Sequence, residues 1–302
     1  MTKKKTKVHK ISKLLLGELV VLIFLLLLLP YSSTRVYQNN VSVENTSNAS
    51  GTISHPRGGA EVNPGLHPGG GLGLQPSGRQ IRIPILMYHY IGGNPNPEDI
   101  ARDNLSVTPD KFDEQMGYLA SSGYTPITLD TMIAGLNEQT KLPEKPLVLT
   151  FDDGYIDFYY NAFPILQKYG FRSVVFVPTG LVGKDSYLTW EMISKMNSTG
   201  LVSFQAHSVY HAHLSSVSYD QMSYEVGESK KTLQEKLGTP VNFVAYPYGA
   251  SNDEVINAVK SAGYVGALGT WTSNIQSEGT IYNMPRTRVG GSWDLTTFTL
   301  NL

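Results

Sequence analysis

From Ile81 onward the chain alternates short, almost wholly apolar runs with stretches of helical periodicity, and this alternation restricts the fold more than any other feature. A run such as "PLVLTF" (Pro146–Phe151) has no polar face to offer solvent, so as a strand it must be covered on both sides, the condition of a parallel sheet flanked by helices. The same reasoning gives strands at "IRIPILMYH", "YTPITL", "RSVVFVP", "LVSFQA", "VNFVAYP" and "YVGALG". Between them lie helices at "TPDKFDEQMGYLASSG", "DTMIAGLNEQ", "YNAFPILQKYG", "TWEMISKMNSTG", "SYDQMSYEVGESKKTLQEKLG" and "NDEVINAVKSAG". In the first of these Thr108 is the expected N-cap, Pro109 the first helical residue and Gly123 the stop. About seven strand–helix alternations predict an α/β fold closed or nearly closed into a barrel rather than an open doubly wound sheet. In either case the chemistry belongs at the C-terminal ends of the strands.

The first eighty residues have a different character. Residues 1–12 form a basic tail, and residues 13–31, "KLLLGELVVLIFLLLLLPY", read as a single-pass transmembrane signal-anchor with its positive flank inside. Glu18 lies one turn into that segment, within reach of the headgroups. A cleaved signal peptide is the competing reading, although no A-x-A-like site follows Leu29. Either way the remainder is exported: extracellular and membrane-anchored, or secreted. Residues 32–80 are rich in Gly, Pro, Asn and Ser, cannot bury enough apolar surface to offset ordering entropy, and read as a flexible linker. The folded domain is expected over residues 81–302.

With a net charge of -1 and a pI near 6.7, the chain has no basic excess to bind nucleic acid, and no obligate protein partner is evident. It has no cysteine, which excludes disulfides, thiolate metal sites and a cysteine nucleophile. Any metal must be held by His, Asp or Glu. Asp152 and Asp153 follow "LVLTF"; His207 follows "LVSFQA", with His211 four residues on; His89 follows "IPILMY"; Tyr248 follows "VNFVAYP". Two adjacent carboxylates at the end of a buried strand need nearby positive charge. If His207 and His211 share the side of one helical turn, as i and i+4 do, they and one aspartate make a three-ligand set with an open position for water on a divalent ion. The second aspartate, pointing elsewhere along an extended chain, is then free to act on that water.

At these residues the chain resembles the polysaccharide deacetylase family, whose "TFDDG" motif stands at Thr150–Gly154 and whose "H-[ST]-x-x-H" stands at His207–His211. The resemblance covers residues 81–302 and implies a distorted (β/α)7 barrel, preceded here by the transmembrane anchor and linker. It implies a divalent metal, zinc first with Co2+, Ni2+ or Mn2+ as alternatives, and hydrolysis of the acetamide of N-acetylhexosamine units in an acetylated polysaccharide. It further implies Asp152 as base and Asp153, His207 and His211 as metal ligands.

The segments "ILMYH", "YLTWEMI", "FVAYPYG" and "MPRTRV" are similar to a branch acting on poly-N-acetylglucosamine. That branch implies His89 as the acid, because no histidine follows His213. No arginine precedes "PYG" to orient the base, so Arg286 is the expected partner of Asp152, with Arg288 as alternate. The backbone N–H of Tyr248, set by Pro247, is the expected oxyanion donor, and Tyr155 and Trp190 are candidate sugar-stacking walls. Peptidoglycan or chitin oligomers are alternative substrates, and a non-catalytic carbohydrate-binding barrel is the rival from another class. A glycoside hydrolase fits poorly, since its two carboxylates flank the scissile bond about 5 to 9.5 Å apart, which sequence neighbours do badly.

Overall fold

The computed structural model describes residues 76–96 and 98–302. The expected tail and anchor and most of the expected linker lie outside the described residues, among which no helix is long and apolar enough to cross a membrane.

The first apolar run makes two strands rather than one. Pro84 has no N–H for a ladder, and it divides β1 (Gln80–Arg82) from β2 (Ile85–Tyr88). β1 pairs antiparallel with β11 (Ile275–Ser277), while β2 enters the main sheet. The folded part also begins ahead of Ile81: Gly279 N–H donates to Ser77 O (2.9 Å), and Arg79 is ion-paired with Glu278.

The main sheet is parallel and curled into a half-barrel. In order across it run β10 (Gly266–Leu268), β9 (Phe243–Ala245), β8 (Val202–Ala206), β7 (Ser173–Val177), β6 (Pro146–Phe151), β2 and β12 (Thr287–Arg288). The expected strand at "YTPITL" shrinks to β5 (Thr125–Pro126) against the start of β6, because Thr128 already caps the next helix. β12 was not expected at all, being too short to carry a period. Ahead of it the chain lies along β10: Met284 N–H donates to Ala267 O (2.8 Å), Gly269 N–H to Met284 O (2.9 Å) and Arg286 N–H to Trp271 O (2.9 Å). A second small parallel pair joins β3 (Tyr90–Ile91) to β4 (Ser106–Val107).

Successive strand residues face opposite ways, and both faces are buried. Leu147, Leu149 and Phe151 of β6, with Val175 and Val177 of β7 and Phe204 of β8, pack under the helices. Val148, Val174, Phe176, Phe243 and Leu268 form an inner cluster. Among the described residues the α-helices are α1 (Ile100–Leu105), α2 (Pro109–Ser121), α3 (Leu129–Leu136), α4 (Phe163–Tyr169), α5 (Trp190–Asn197), α6 (Tyr219–Leu237), α7 (Asp253–Ser261) and α8 (Leu295–Leu300). Leu129, Met132 and Ile133 of α3 join the inner cluster beneath the strand starts, leaving the strand ends for chemistry. Thr108, Thr189, Ser218 and Asn252 cap α2, α5, α6 and α7 through side-chain oxygens. The stretch "YNAFPILQKYG" contains a π turn (Phe158–Ala162) before α4, since Pro164 cannot donate to an i–4 carbonyl and its ring needs the extra room.

Candidate active site

The ladder of β2 and β6 continues one residue beyond β6, with Asp152 N–H donating to Tyr88 O (3.0 Å). The chain then turns sharply: Asp153 (φ 70°) and Gly154 (φ 66°) are both left-handed. The two carboxylates therefore diverge through a turn, not through the alternation of an extended chain. Asp tolerates this conformation better than most residues, and Gly adopts it at no steric cost.

Asp152 is gripped by Arg286. The guanidinium donates Nη1 to Oδ1 and Nη2 to Oδ2, both at 2.7 Å, in a planar fork. Its Nε–H donates to Gly269 O (2.9 Å) and Nη1 also reaches Thr150 Oγ1 (3.2 Å), whose own hydroxyl donates to Leu86 O (2.7 Å). Arg286 is fully buried. Burial opposes the charge on Asp152, but the Arg286 cation and its hydrogen bonds outweigh it and hold the carboxyl below its ordinary value. Arg288, two residues on from Arg286, is exposed.

Asp153 lies against two imidazoles. Its Oδ1 is 3.2 Å from His207 Nε2 and 3.0 Å from His211 Nε2, and one ligand atom from each of the three residues lies within 4.8 Å of the others. His207 Nδ1 is 2.8 Å from Ala245 O; as a donor to that carbonyl it leaves Nε2 as a lone pair aimed at Asp153. His207 Nε2 and His211 Nε2 thus converge on one buried carboxylate oxygen, an arrangement that a cation or shared protons would satisfy. Burial works against both charges, yet the contact raises His207 and holds Asp153 well below its usual range. The donor set of two imidazole nitrogens and one carboxylate suits a divalent cation with an open position.

His207 and His211 do not share a helical turn. The five residues are a loop in which Ser208 (φ 61°) and His211 (φ 58°) are left-handed, and it is this winding that brings the second ring back to Asp153. The two rings converge as expected, but through a wound loop and not through the helical i, i+4 geometry.

A pocket of about 220 Å³ opens beside these ligands, lined by Asp153, His211, Pro178, Leu181 and four tyrosines, Tyr155, Tyr187, Tyr210 and Tyr248. Tyr155 is stacked on Tyr90 at 3.8 Å, which stiffens that wall. Tyr248 (φ 60°) is exposed and its ring meets His211 edge-on at 4.6 Å and stacks near His213 at 5.8 Å. Pro247, directly before it, is buried in a 3-10 turn and does not line the pocket. Trp190 is not brought there either: as the first residue of α5 it packs against the helix-side core, with Lys236 Nζ 5.8 Å from its ring. Tyr187 and Tyr210 take the wall position expected of it. Tyr210 carried a signal in being the aromatic between the two ligand histidines; Tyr187 carried none. His89 is half-buried at the end of β2 and lies in the field of Asp152, Asp153, Arg286 and Arg288; desolvation dominates and lowers its pKa.

The Polysaccharide deacetylase family profile matches residues 139–267. YxkH of Bacillus subtilis, which carries the polysaccharide deacetylase name, is 30% identical over 211 residues, covering 70% of this chain and 72% of its own length. The chain belongs to the polysaccharide deacetylase family. The Streptococcus pyogenes deacetylase PplD, solved in complex with acetate, is 32% identical with a TM-score of 0.68, over 75% of this chain and 99% of that one. The poly-beta-1,6-N-acetyl-D-glucosamine N-deacetylase of Staphylococcus aureus is 30% identical over 173 residues, 53% of this chain and 59% of that protein. As a polysaccharide deacetylase the chain is a hydrolase, and Asp153, His207 and His211 form a set that could hold a divalent metal.

Proposed function

We propose that this protein removes N-acetyl groups from an extracellular N-acetylhexosamine polymer, poly-N-acetylglucosamine in the first instance, in a metal-dependent reaction. One observation carries the reading: Asp153, His207 and His211 converge on one point while the neighbouring carboxylate, Asp152, is held apart by Arg286, all beside a tyrosine-lined pocket. The Staphylococcus aureus relative supports the choice of polymer. The seven parallel strands of the main path from β10 to β12, with β5 beside β6 and Met284 bridging to β10, support a distorted (β/α)7 barrel as the scaffold.

A divalent cation held by Asp153, His207 and His211, zinc in this reading, supplies polarisation of the acetyl carbonyl and acidification of the attacking water. The residues of the chain do the rest. Asp152 accepts the proton of that water; Arg286 keeps it ionised, aims it, and lowers its basicity to match an already acidic donor. Arg286 uses one lone pair on each carboxylate oxygen and leaves another on each for the water. The Tyr248 N–H, presented by the left-handed turn after Pro247, donates to the oxygen that gains charge. His89 carries a proton to the departing amine, and its lowered pKa makes it a better donor once charged. Tyr155, Tyr187 and Tyr210 bracket the sugar. At about 220 Å³ the pocket is smaller than the ~300–1,000 Å³ of a typical small-molecule site, which fits one unit of a polymer rather than a buried ligand.

The reading includes export, with residues 13–31 as a single-pass anchor or a cleaved leader; cell fractionation with N-terminal sequencing of the mature protein tells the two apart. For the activity, the full chain is incubated with poly-β-1,6-N-acetylglucosamine, chitin oligomers and peptidoglycan, with and without chelator. Release of primary amine from the first polymer, abolished by chelator and restored by Zn2+, is expected. Amine release from none of the three sinks the proposal.

A further inference from the structure

Glu225 sits in the middle of α6, 1% exposed, with no positive charge among its hydrogen-bond partners. A bare carboxylate at such a site is strongly disfavoured unless donors replace its water. Its donors are informative. Oε2 accepts the backbone N–H groups of both Val209 and Tyr210 at 2.8 Å, and Oε1 accepts Gln221 Nε2 at 2.8 Å. Two consecutive N–H groups converging on one oxygen form an anion-binding nest, and this nest is the centre of the loop from His207 to His211.

The loop needs such a hold. Ser208 and His211, on either side of the nest, are non-glycine residues at positive φ, a conformation that lapses unless the surroundings impose it. From the opposite side, Thr179 N–H donates to Ser208 O (3.2 Å) and Gly180 N–H to Val209 O (2.8 Å). The Tyr210 ring lies so close over Gly180 that any side chain there would collide with it. The loop is thus clamped between the end of β7 and α6, a 19-residue helix anchored by buried Met222, Val226 and Leu233.

We propose that Glu225 is a positioning residue: by fixing the N–H groups of Val209 and Tyr210 it holds His211 on the metal and Tyr210 in the substrate wall, coupling metal affinity to substrate binding through one carboxylate. This rests on the metal-dependent reading of the site. Glu225 touches neither metal nor substrate, so it acts only through the loop.

The test uses the full chain with Glu225→Gln, Glu225→Leu and Tyr210→Ala. Gln keeps an oxygen for the two N–H groups but loses the charge; Leu removes the acceptor altogether. Zn2+ affinity by competition with a chromophoric chelator should fall about tenfold in Glu225→Gln and about a hundredfold in Glu225→Leu, the range typical of outer-shell partners. The visible absorption of the Co2+-loaded protein should change in both, and KM should rise as the Tyr210 wall shifts. Tyr210→Ala retains its backbone N–H, so it should raise KM with Zn2+ affinity unchanged. Should Glu225→Leu fail to fold, Glu225→Gln decides alone. Wild-type Zn2+ affinity and an unaltered Co2+ spectrum in folded Glu225→Gln overturn the inference while leaving the metal site standing. Loss of Zn2+ affinity in Tyr210→Ala equal to that in Glu225→Gln also overturns it, because the ring and not the backbone would then be the link. A wild-type protein that binds neither Zn2+ nor Co2+ overturns this inference together with the metal reading beneath it.

Discussion

Replacing Arg286 by Met should destabilise the protein chiefly through the charge left behind on Asp152. Met fills much of the same space, but Asp152 is 3% exposed and would lose both hydrogen bonds of the fork at once. Stranding one member of a buried ion pair costs about 3–5 kcal/mol. A domain of this size shifts in Tm by roughly 2–4 °C per kcal/mol, so a fall of about 6–20 °C is expected by calorimetry at pH 7. The pH dependence has a definite sign. In the wild type the folded pKa of Asp152 is depressed, so its contribution is present above the unfolded carboxyl value and is lost as pH falls through the folded one. Without Arg286, burial is opposed only by the smaller fields of His207 and His89, so the folded pKa rises from its wild-type position, and the penalty is full at pH 7 and relieved as pH falls through it. The gap in Tm between wild type and Arg286→Met should therefore narrow from pH 7 toward pH 4. Asp152→Asn in the same background removes the stranded charge, and a double-mutant cycle should give a coupling of about 2 kcal/mol or more. A Tm gap independent of pH, together with additive single mutants, would refute the account of Arg286 as the counter-charge of a buried base.

Asp152→Asn alone should abolish turnover while Zn2+ affinity stays within about threefold of wild type, because an amide cannot take a proton and is not a ligand; equilibrium dialysis beside the amine assay checks both. His207→Ala removes a ligand and leaves Ala245 O without its donor, so metal and activity should be lost together in metal analysis of the purified variant. His89→Ala should lower kcat by about 10²–10⁴ with metal retained. In the wild type, the pH at which protonated His89 is lost should lie below the ordinary histidine value, because burial lowers it. A kcat near wild type for His89→Ala would leave that residue no part in the proton transfers.

The fold was legible where local and tertiary demands agree. "PLVLTF" reads as a doubly covered strand and is β6 to the residue, and α2 begins at Thr108 and Pro109 as its capping residues require. Legibility failed where one residue overrides its neighbours. Pro84 splits an apolar run that otherwise looks continuous, Pro164 forces a π turn into a helix, and β12 forms with no propensity signal because β2 and the chain beside β10 supply its partners. At the site, the residue types at strand ends carried Asp152, Asp153, His207 and His211, since buried charge and imidazole are rare enough to stand out. The fork between Asp152 and Arg286 spans 134 positions, so no local period connects them; Arg286 was expected as the partner through the resemblance of "MPRTRV". Glu225 was invisible for the opposite reason: in sequence it is one of several acidic residues on a polar helix, and only the fold turns it inward.

The misreading of the turn from His207 to His211 has a cause that concerns function as much as reading. Among the described residues six non-glycine residues have positive φ, and four of them, Asp153, Ser208, His211 and Tyr248, belong to the candidate metal set, its loop or the pocket; a fifth, Ser186, adjoins Tyr187 of the pocket wall. Each such residue costs of order 1–3 kcal/mol and persists only because tertiary contacts impose it. Propensity therefore describes the strands and helices well and misdescribes the turns that aim the ligands, as it did in assigning a helical turn to His207 and His211. A loop that relaxed to its preferred backbone would carry His211 away from Asp153. The restraint must come from outside the loop, and the groups that supply it are the N–H groups of Thr179 and Gly180 on one side and the carboxylate of Glu225 on the other.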